Sequence, residues 1–181
     1  MPLRSDWSSL YCPVARTLDV VGDPWVLLIM RVALTGTRRF DEFRDRLGVA
    51  DTGLSRRLQT MTEAGLLERV AYRGKQRTHA EYRLTGKGAD LLPVINALTL
   101  WGERHTTPPR DDAHLEIVHV ACGAASSSAD TCSACGAAMD VRDTAWHRTW
   151  DKRGPVALRD PAEREAALEP ELGPGLELRS G

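Results

Sequence analysis

The sequence predicts an α+β fold: a helix-turn-helix closed by a β-hairpin wing, then a long helix, then a small β appendage. Three observations carry this. Apolar residues recur at helical spacing in successive short runs up to Gly65, two of them separated only by a turn around Gly48. Two β-like runs then flank a basic loop and lead into a helix with a long apolar stripe. Finally, a histidine and three cysteines fall into two pairs, each followed by glycine.

Cys12-Pro13 opens the first helix, because proline suits the first helical position and leaves Cys12 as the N-cap. Val14, Leu18 and Val21 share a face, and Gly22 ends the run. Asp23-Pro24 repeats the start signal. Trp25, Leu28, Ile29 and Val32 then follow in a helix that is apolar nearly all round, which places it at the centre of the core. Phe40, Phe43 and Leu47 mark a third helix stopped by Gly48, and Asp51 caps a fourth that Gly65 ends. Leu66 to Tyr72 and Ala80 to Leu84 read as strands, with the basic tip Arg73 to His79 between them. Thr85 caps a helix through about Arg104, striped by Leu91, Val94, Ile95, Leu98 and Trp101. An interior proline costs about 3 kcal/mol, so this helix either bends at Pro93 or begins regular geometry just before it. Its stripe is expected to form a dimer surface; the alternative is packing on the first helix of the same chain.

Charge is uneven along the chain. Residues 1–105 carry a balance of +4 and residues 106–181 a balance of −5, within a net −1. Gly36 to Lys87 holds 12 basic and 7 acidic side chains. A basic domain with an acidic tail suits phosphate binding, although ordinary surface charge accounts for it equally well. The fourth helix is more specific. Leu54, Leu58 and Met61 line one side, and Thr52, Ser55, Arg56 and Gln59 line the other. Arg can pair bidentately with guanine, Gln with adenine, and Ser or Thr with a base edge or phosphate. Arg57 lies one position off that stripe, where a phosphate is the expected partner. Lys75 and Arg77 at the wing tip are placed for the backbone or the minor groove. The order of elements favours double-stranded DNA as the partner over a merely solvated helix face. A dimer of such domains implies a near-palindromic operator.

The run from Tyr11-Cys12-Pro13-Val14 to Trp101-Gly102-Glu103 resembles the HxlR family of bacterial transcription regulators, relatives of the MarR type. The motifs are Cys-Pro-Val followed by Gly-Asp-Pro-Trp, Arg39-Phe40 before the turn, Glu63-Ala64-Gly65-Leu66, Glu81-Tyr82-Arg83-Leu84-Thr85 and Trp101-Gly102. The resemblance covers about half the chain and implies a homodimeric winged helix that represses or activates transcription. The wing departs from it, reading Gly-Lys-Gln-Arg-Thr-His where such proteins often carry consecutive prolines before an arginine. Some members sense electrophiles or oxidants through an N-terminal cysteine, and Cys12 occupies the matching place. A helix N-terminus stabilises thiolate, and Arg16 one turn on adds to this. The competing reading makes Cys12 a small buried hydrophobe beside Leu10 and Val14. A small-molecule effector pocket among Trp25, Trp101 and Tyr11 is a further expectation, set against ordinary core packing.

His119, Cys122, Cys132 and Cys135 form His-x2-Cys-x9-Cys-x2-Cys. Two such turns joined by a hairpin supply a tetrahedral Cys3His set for structural Zn2+, the pattern of a zinc ribbon. Filling all coordination positions leaves none for catalytic water. His119 is the weak ligand, since a surface histidine on the strand before it reads as well, and His114 is a substitute. A redox pair of Cys132 with Cys135, or plain reduced thiols, is the alternative to metal. No Asp or Glu lies within either Cys/His pair as a general base, so the chain is not expected to be an enzyme. The predicted organisation is a DNA-binding and dimerisation domain at 1–105, a linker at 106–113, a zinc-ribbon-like module at 114–150, and a Pro/Gly-rich flexible tail at 151–181. A short helix is hinted at from Pro161 to Leu168. The start has no apolar signal region and no run approaches the ~18 apolar residues of a membrane span, so a cytoplasmic location away from membranes is expected. The second functional reading is a zinc-ribbon protein-interaction adaptor anchored by a DNA-binding domain.

Overall fold

The computed structural model describes residues 6–73 and 78–159. Four helices come first: α1 (Pro13–Val21), α2 (Pro24–Leu34), α3 (Phe40–Leu47) and α4 (Asp51–Glu63). The wing follows as β1 (Leu67–Arg73) and β2 (Thr78–Leu84), then α5 (Gly86–Ala89) and α6 (Leu92–His105). Strands β3 (Leu115–His119), β4 (Ala125–Ser126), β5 (Thr144–Arg148) and β6 (Val156–Ala157) complete the described chain.

Helix α2 is central, as its all-round apolarity predicts: Ile29, Met30 and Leu34 are fully buried. Its start is fixed by Pro24 and by the Asp23 carboxylate, which accepts from the Trp25 amide at 2.9 Å. Phe43 and Leu47 of α3 and Leu54, Leu58 and Met61 of α4 close the core beneath it. Glu42 holds the start of α3, its Oε2 accepting from the amides of Arg38 and Arg39, each at 3.1 Å. Gly48 ends α3 with φ +60°, a conformation that costs glycine little, and the chain turns directly into α4. The cap of α4 is Ala50, with Asp51 as the first helical residue, so the expected Asp51 cap is displaced by one position.

The wing pairs Leu67 with Leu84 through to Arg73 with Thr78, antiparallel, so both strands run closer to the tip than the alternation suggested. A bridge from Arg39 to Glu81 adds a short third edge. The helix expected from Thr85 is split in two. Thr85 Oγ1 accepts from Gly88 at 3.0 Å and caps only the four-residue α5. Regular geometry resumes at Leu92, with Pro93 in the first turn, where its missing N–H leaves no hydrogen bond unmade.

The last four strands form one antiparallel sheet in the order β4-β3-β5-β6. It packs on the helices through a shared core in which Leu92 and Ile95 join Ile117, Met139, Val141, Trp146 and Leu158. Asn96, fully buried on α6, accepts from Trp146 Nε1 at 3.0 Å and donates to the Ala129 carbonyl at 2.8 Å. The segment expected as a linker is tied down at its far end, where Glu103 bonds His114 Nδ1 and the Leu115 amide, both at 2.8 Å. Beyond residue 150, where the sequence suggested a tail, β6 adds an edge strand, and the Arg159 amide bonds the Leu34 carbonyl at 2.9 Å. The Pro161 to Leu168 helix lies outside the described residues. Among the described residues no helix is long and apolar enough to cross a membrane.

Candidate nucleic-acid interface and metal centre

Helix α4 separates its two faces as its periodicity predicts. Leu54, Leu58 and Met61 are buried, while Thr52, Ser55, Arg56 and Gln59 are all exposed. At about 1.5 Å rise per residue, these four side chains span roughly 10 Å along one stripe, a length that fits within a major groove. Gln59 Nε2 donates to Glu63 Oε1 at 2.9 Å, a solvent-exposed bond that a base edge would have to replace. Arg57 is occupied differently. Its Nε meets Asp23 Oδ2 at 3.0 Å, its Nη1 donates to the Gly53 carbonyl at 3.2 Å, and its guanidinium lies over the Trp25 ring at 5.6 Å. This residue ties the recognition helix to the start of α2, so its phosphate role would require giving up those contacts. Lys75 and Arg77 lie outside the described residues.

The two Cys/His turns are built alike. In one, Gly123 N–H bonds the His119 carbonyl at 2.8 Å and His119 N–H bonds Ala124 at 3.0 Å. In the other, Gly136 N–H bonds the Cys132 carbonyl at 2.8 Å and Cys132 N–H bonds Ala137 at 2.8 Å. Gly123 and Gly136 take φ +70° and +75°, which lets each turn fold back so tightly. Ser126 of β4 ties the turns together, its Oγ accepting from the Ser133 amide at 3.2 Å and donating to the Thr131 carbonyl at 3.0 Å, and one ligand atom from each of His119, Cys122, Cys132 and Cys135 lies within 4.8 Å of every other.

This set could hold a metal ion. His119 Nδ1 is 3.2 Å from Cys122 Sγ and 3.3 Å from Cys135 Sγ, and Cys122 Sγ is 3.7 Å from Cys132 Sγ. Tetrahedral bonds of about 2.3 Å to sulfur and 2.0–2.1 Å to nitrogen require separations of about 3.8 Å (S···S) and 3.5 Å (S···N). The thiols also differ. The backbone amide of Cys135 pulls the Cys132 thiol down to about 6 against the opposing effect of burial. Cys135 moves up: the Ala137 amide opposes the rise, while burial and the thiols of Cys132 and Cys122 drive it. Crowded thiols resist ionising together, and a dication removes that conflict. His119 is buried, so the surface-histidine reading fails, and His114 is engaged with Glu103 away from the cluster.

A model of the HxlR-like helix-turn-helix family matches residues 20–110. The chain belongs to that family. It is 37% identical to the HTH-type transcriptional regulator Rv3095 of Mycobacterium tuberculosis over 130 residues, covering 72% of this chain and 81% of that one. It is 33% identical to YdeP of Bacillus subtilis, covering 52% of this chain and 73% of that one. Among solved structures, the transcription factor PA1607 superposes with a TM-score of 0.61 at 37% identity, covering 77% of this chain and 96% of that one. The oxidized form of the redox regulator HypR gives 0.50 at 31% identity, over 54% of this chain and all of that one. A 130-residue match cannot end before residue 130, so the likeness to Rv3095 runs past the family domain and into the β sheet.

As an HxlR-family member the chain is a DNA-binding transcription regulator and not an enzyme. Cys12 is the N-cap of α1 and is exposed within the single chain. The Arg16 guanidinium bonds the carbonyls of Leu10 and Tyr11, at 2.6 and 2.8 Å, in the residues just before Cys12. The aromatic pocket fails to form. Tyr11 is fully exposed, Trp101 is 59% exposed, and Trp25 lies under Arg57. Sequence reasoning missed Asn96 and Trp146, which join the two halves. The available signal was an amide on the apolar side of α6.

Proposed function

We propose that this HxlR-family chain acts in the cytoplasm as a homodimer on a near-palindromic operator, with structural zinc bracing its C-terminal sheet. The observation that carries the DNA reading is the exposed stripe Thr52, Ser55, Arg56 and Gln59 opposite a fully buried face of α4. Arg56 is the residue for guanine, Gln59 for adenine, and Thr52 and Ser55 for base edge or phosphate. Lys75 and Arg77 of the wing would reach the DNA backbone or the adjoining minor groove. Dimerisation is supported by apolar side chains left in solvent: Leu10, Tyr11, Val14 and Leu18 around α1, and Val94, Leu98 and Trp101 on α6.

Zinc is supported by the donor set and its near-tetrahedral separations, with His119, Cys122, Cys132 and Cys135 as ligands. The ion would supply cross-links between the two turns, and with four protein ligands it would take no part in chemistry. The adaptor reading loses ground, since the sheet shares its core with α6 and is not a detachable module. One observation favours a thiol-directed signal: Cys12 is exposed at a helix N-terminus. Oxidant should then alter operator binding in the native protein and not in Cys12→Ser; equal responses would exclude Cys12.

The central test is fluorescence anisotropy against DNA upstream of the chain's own gene, with unlabelled random duplex competing at several salt concentrations. Binding should survive competitor, weaken with salt, and fall roughly 5- to 150-fold in Arg56→Ala. Absence of any salt-dependent DNA binding would overturn the reading.

A further inference from the structure

Arg57 and its partners form a clasp between the recognition helix and the start of α2. The Asp23 carboxylate serves both elements at once. Its Oδ1 accepts from the Trp25 amide at 2.9 Å and caps α2, while its Oδ2 meets Arg57 Nε at 3.0 Å. Arg57 Nη1 donates back to the Gly53 carbonyl at 3.2 Å, one turn earlier on α4. The guanidinium also lies over the half-buried Trp25 ring, 5.6 Å from its centroid. Gly53 itself is a second observation. A glycine inside a helix is unfavourable, because it gives up more backbone freedom than any other residue. Here a Cβ at position 53 would stand 3.0 Å from Arg57 Nη1, so the glycine leaves the room in which the guanidinium folds back.

The clasp acts on the stripe that faces DNA without being part of it. Successive residues on a helix turn through about 100°, so Arg57 is half-buried against α2 while Arg56 stands in solvent with Thr52, Ser55 and Gln59. Leu54, Leu58 and Met61 hold one side of α4 in the core, and the clasp pins the flank beside them. Side-chain tips lie about 5–6 Å from a helix axis, so a rotation of roughly 10° moves them by about 1 Å. A bidentate contact to a base, whose hydrogen bonds span only about 2.7–3.2 Å, does not survive that shift intact. Attraction to phosphate falls off slowly with distance and is far less exacting.

We infer that Arg57 is a positioning residue for sequence discrimination: held by Asp23, Gly53 and Trp25, it sets the angle at which α4 presents Arg56 and Gln59 to base edges, and does not itself contact phosphate. This rests on the DNA-reading role proposed for α4. A free cation at position 57 would strengthen binding to any duplex alike. A cation already shared among a carboxylate, a carbonyl and an aromatic ring contributes through geometry, and geometry at the base edges separates one sequence from another. Arginine suits the place because its fork bonds two acceptors while its flat face packs on the indole, a combination that the single ammonium of lysine does not offer.

Selection of duplexes from a random pool by the full native chain supplies the operator probe. Anisotropy then gives affinities for the selected duplex and for random duplex at several salt concentrations, in the native chain, Arg57→Lys and Asp23→Asn. Lysine keeps the charge at position 57, and asparagine keeps a cap for α2. Each variant should lose roughly 3- to 10-fold of its preference for the selected duplex over random DNA, with the native salt slope and circular dichroism. The double variant should lose no more than the worse single change, since both break one clasp. A phosphate contact predicts otherwise: Arg57→Lys keeps its preference, and Asp23→Asn binds both duplexes more tightly because the competing carboxylate is gone. Either result would overturn the proposal. So would equal weakening on both duplexes with a lower melting temperature, which marks a purely structural role. A native chain that enriches no sequence would overturn the DNA-reading role of α4 and this inference with it. Enrichment by the native chain, with its full preference kept in both variants, would overturn this inference alone.

Discussion

Asn96→Ala removes the amide that joins the helical domain to the C-terminal sheet. Asn96 is fully buried, and its two hydrogen bonds reach Trp146 Nε1 at 3.0 Å and the Ala129 carbonyl at 2.8 Å. Truncation strands the indole N–H of Trp146, a residue only 1% exposed, at a cost of about 1–3 kcal/mol. Ala129 is half-buried, so water partly replaces its lost partner and about 1 kcal/mol is added. The expected loss is about 2–4 kcal/mol, or roughly 4–16 °C in Tm for a chain of this size. Urea denaturation followed by far-UV circular dichroism, at constant zinc, measures it. Because both halves share one core, the loss should come in a single transition. Trp146→Phe in the Asn96→Ala background should cost less than the two single changes summed, by at least about 1 kcal/mol, since no donor is left stranded. A loss below about 1 kcal/mol, additive singles, or a sheet that unfolds separately from the helices would refute the reasoning.

Purified protein should carry one zinc per chain by mass spectrometry, and Cys135→Ser should lose most of it along with a lower urea midpoint; equal metal content would remove the site. Trp101→Glu, on the exposed stripe of α6, should shift the chain from dimer to monomer in light scattering without altering its circular dichroism. His114 should titrate above its ordinary 6.5 in NMR, because Glu103 and the Asp111 carbonyl favour its charged form. A raised folded pKa means this contact stabilises fully below about pH 6.5 and is lost as pH rises through the folded value, so His114→Gln should flatten stability across that window. An unshifted titration would dismiss the contact.

The sequence by itself determined the parts whose signals are local. Helical spacing separated the buried and exposed faces of α4, Gly48 marked the turn between α3 and α4, and the paired His/Cys turns announced the cluster before any geometry was known. Each depends on residues within a few positions of one another, where backbone periodicity governs which side chains share a face. Pro93 shows the limit: sequence left a bend and a restart equally open, and only packing decided for the restart. Three matters belonged wholly to the tertiary structure. Arg57 sits on α4 as a phosphate contact would, yet its partners Asp23 and Trp25 lie some thirty residues earlier. Asn96 finds Trp146 across 50 positions, and that pairing turns an expected appendage into part of one core. The Arg159 amide bonds the Leu34 carbonyl from the far end of the described residues, a contact no local pattern announces. The reason is common to all three: local pattern says which way a side chain faces, while burial and the identity of its neighbours are set by contacts between segments far apart in the chain.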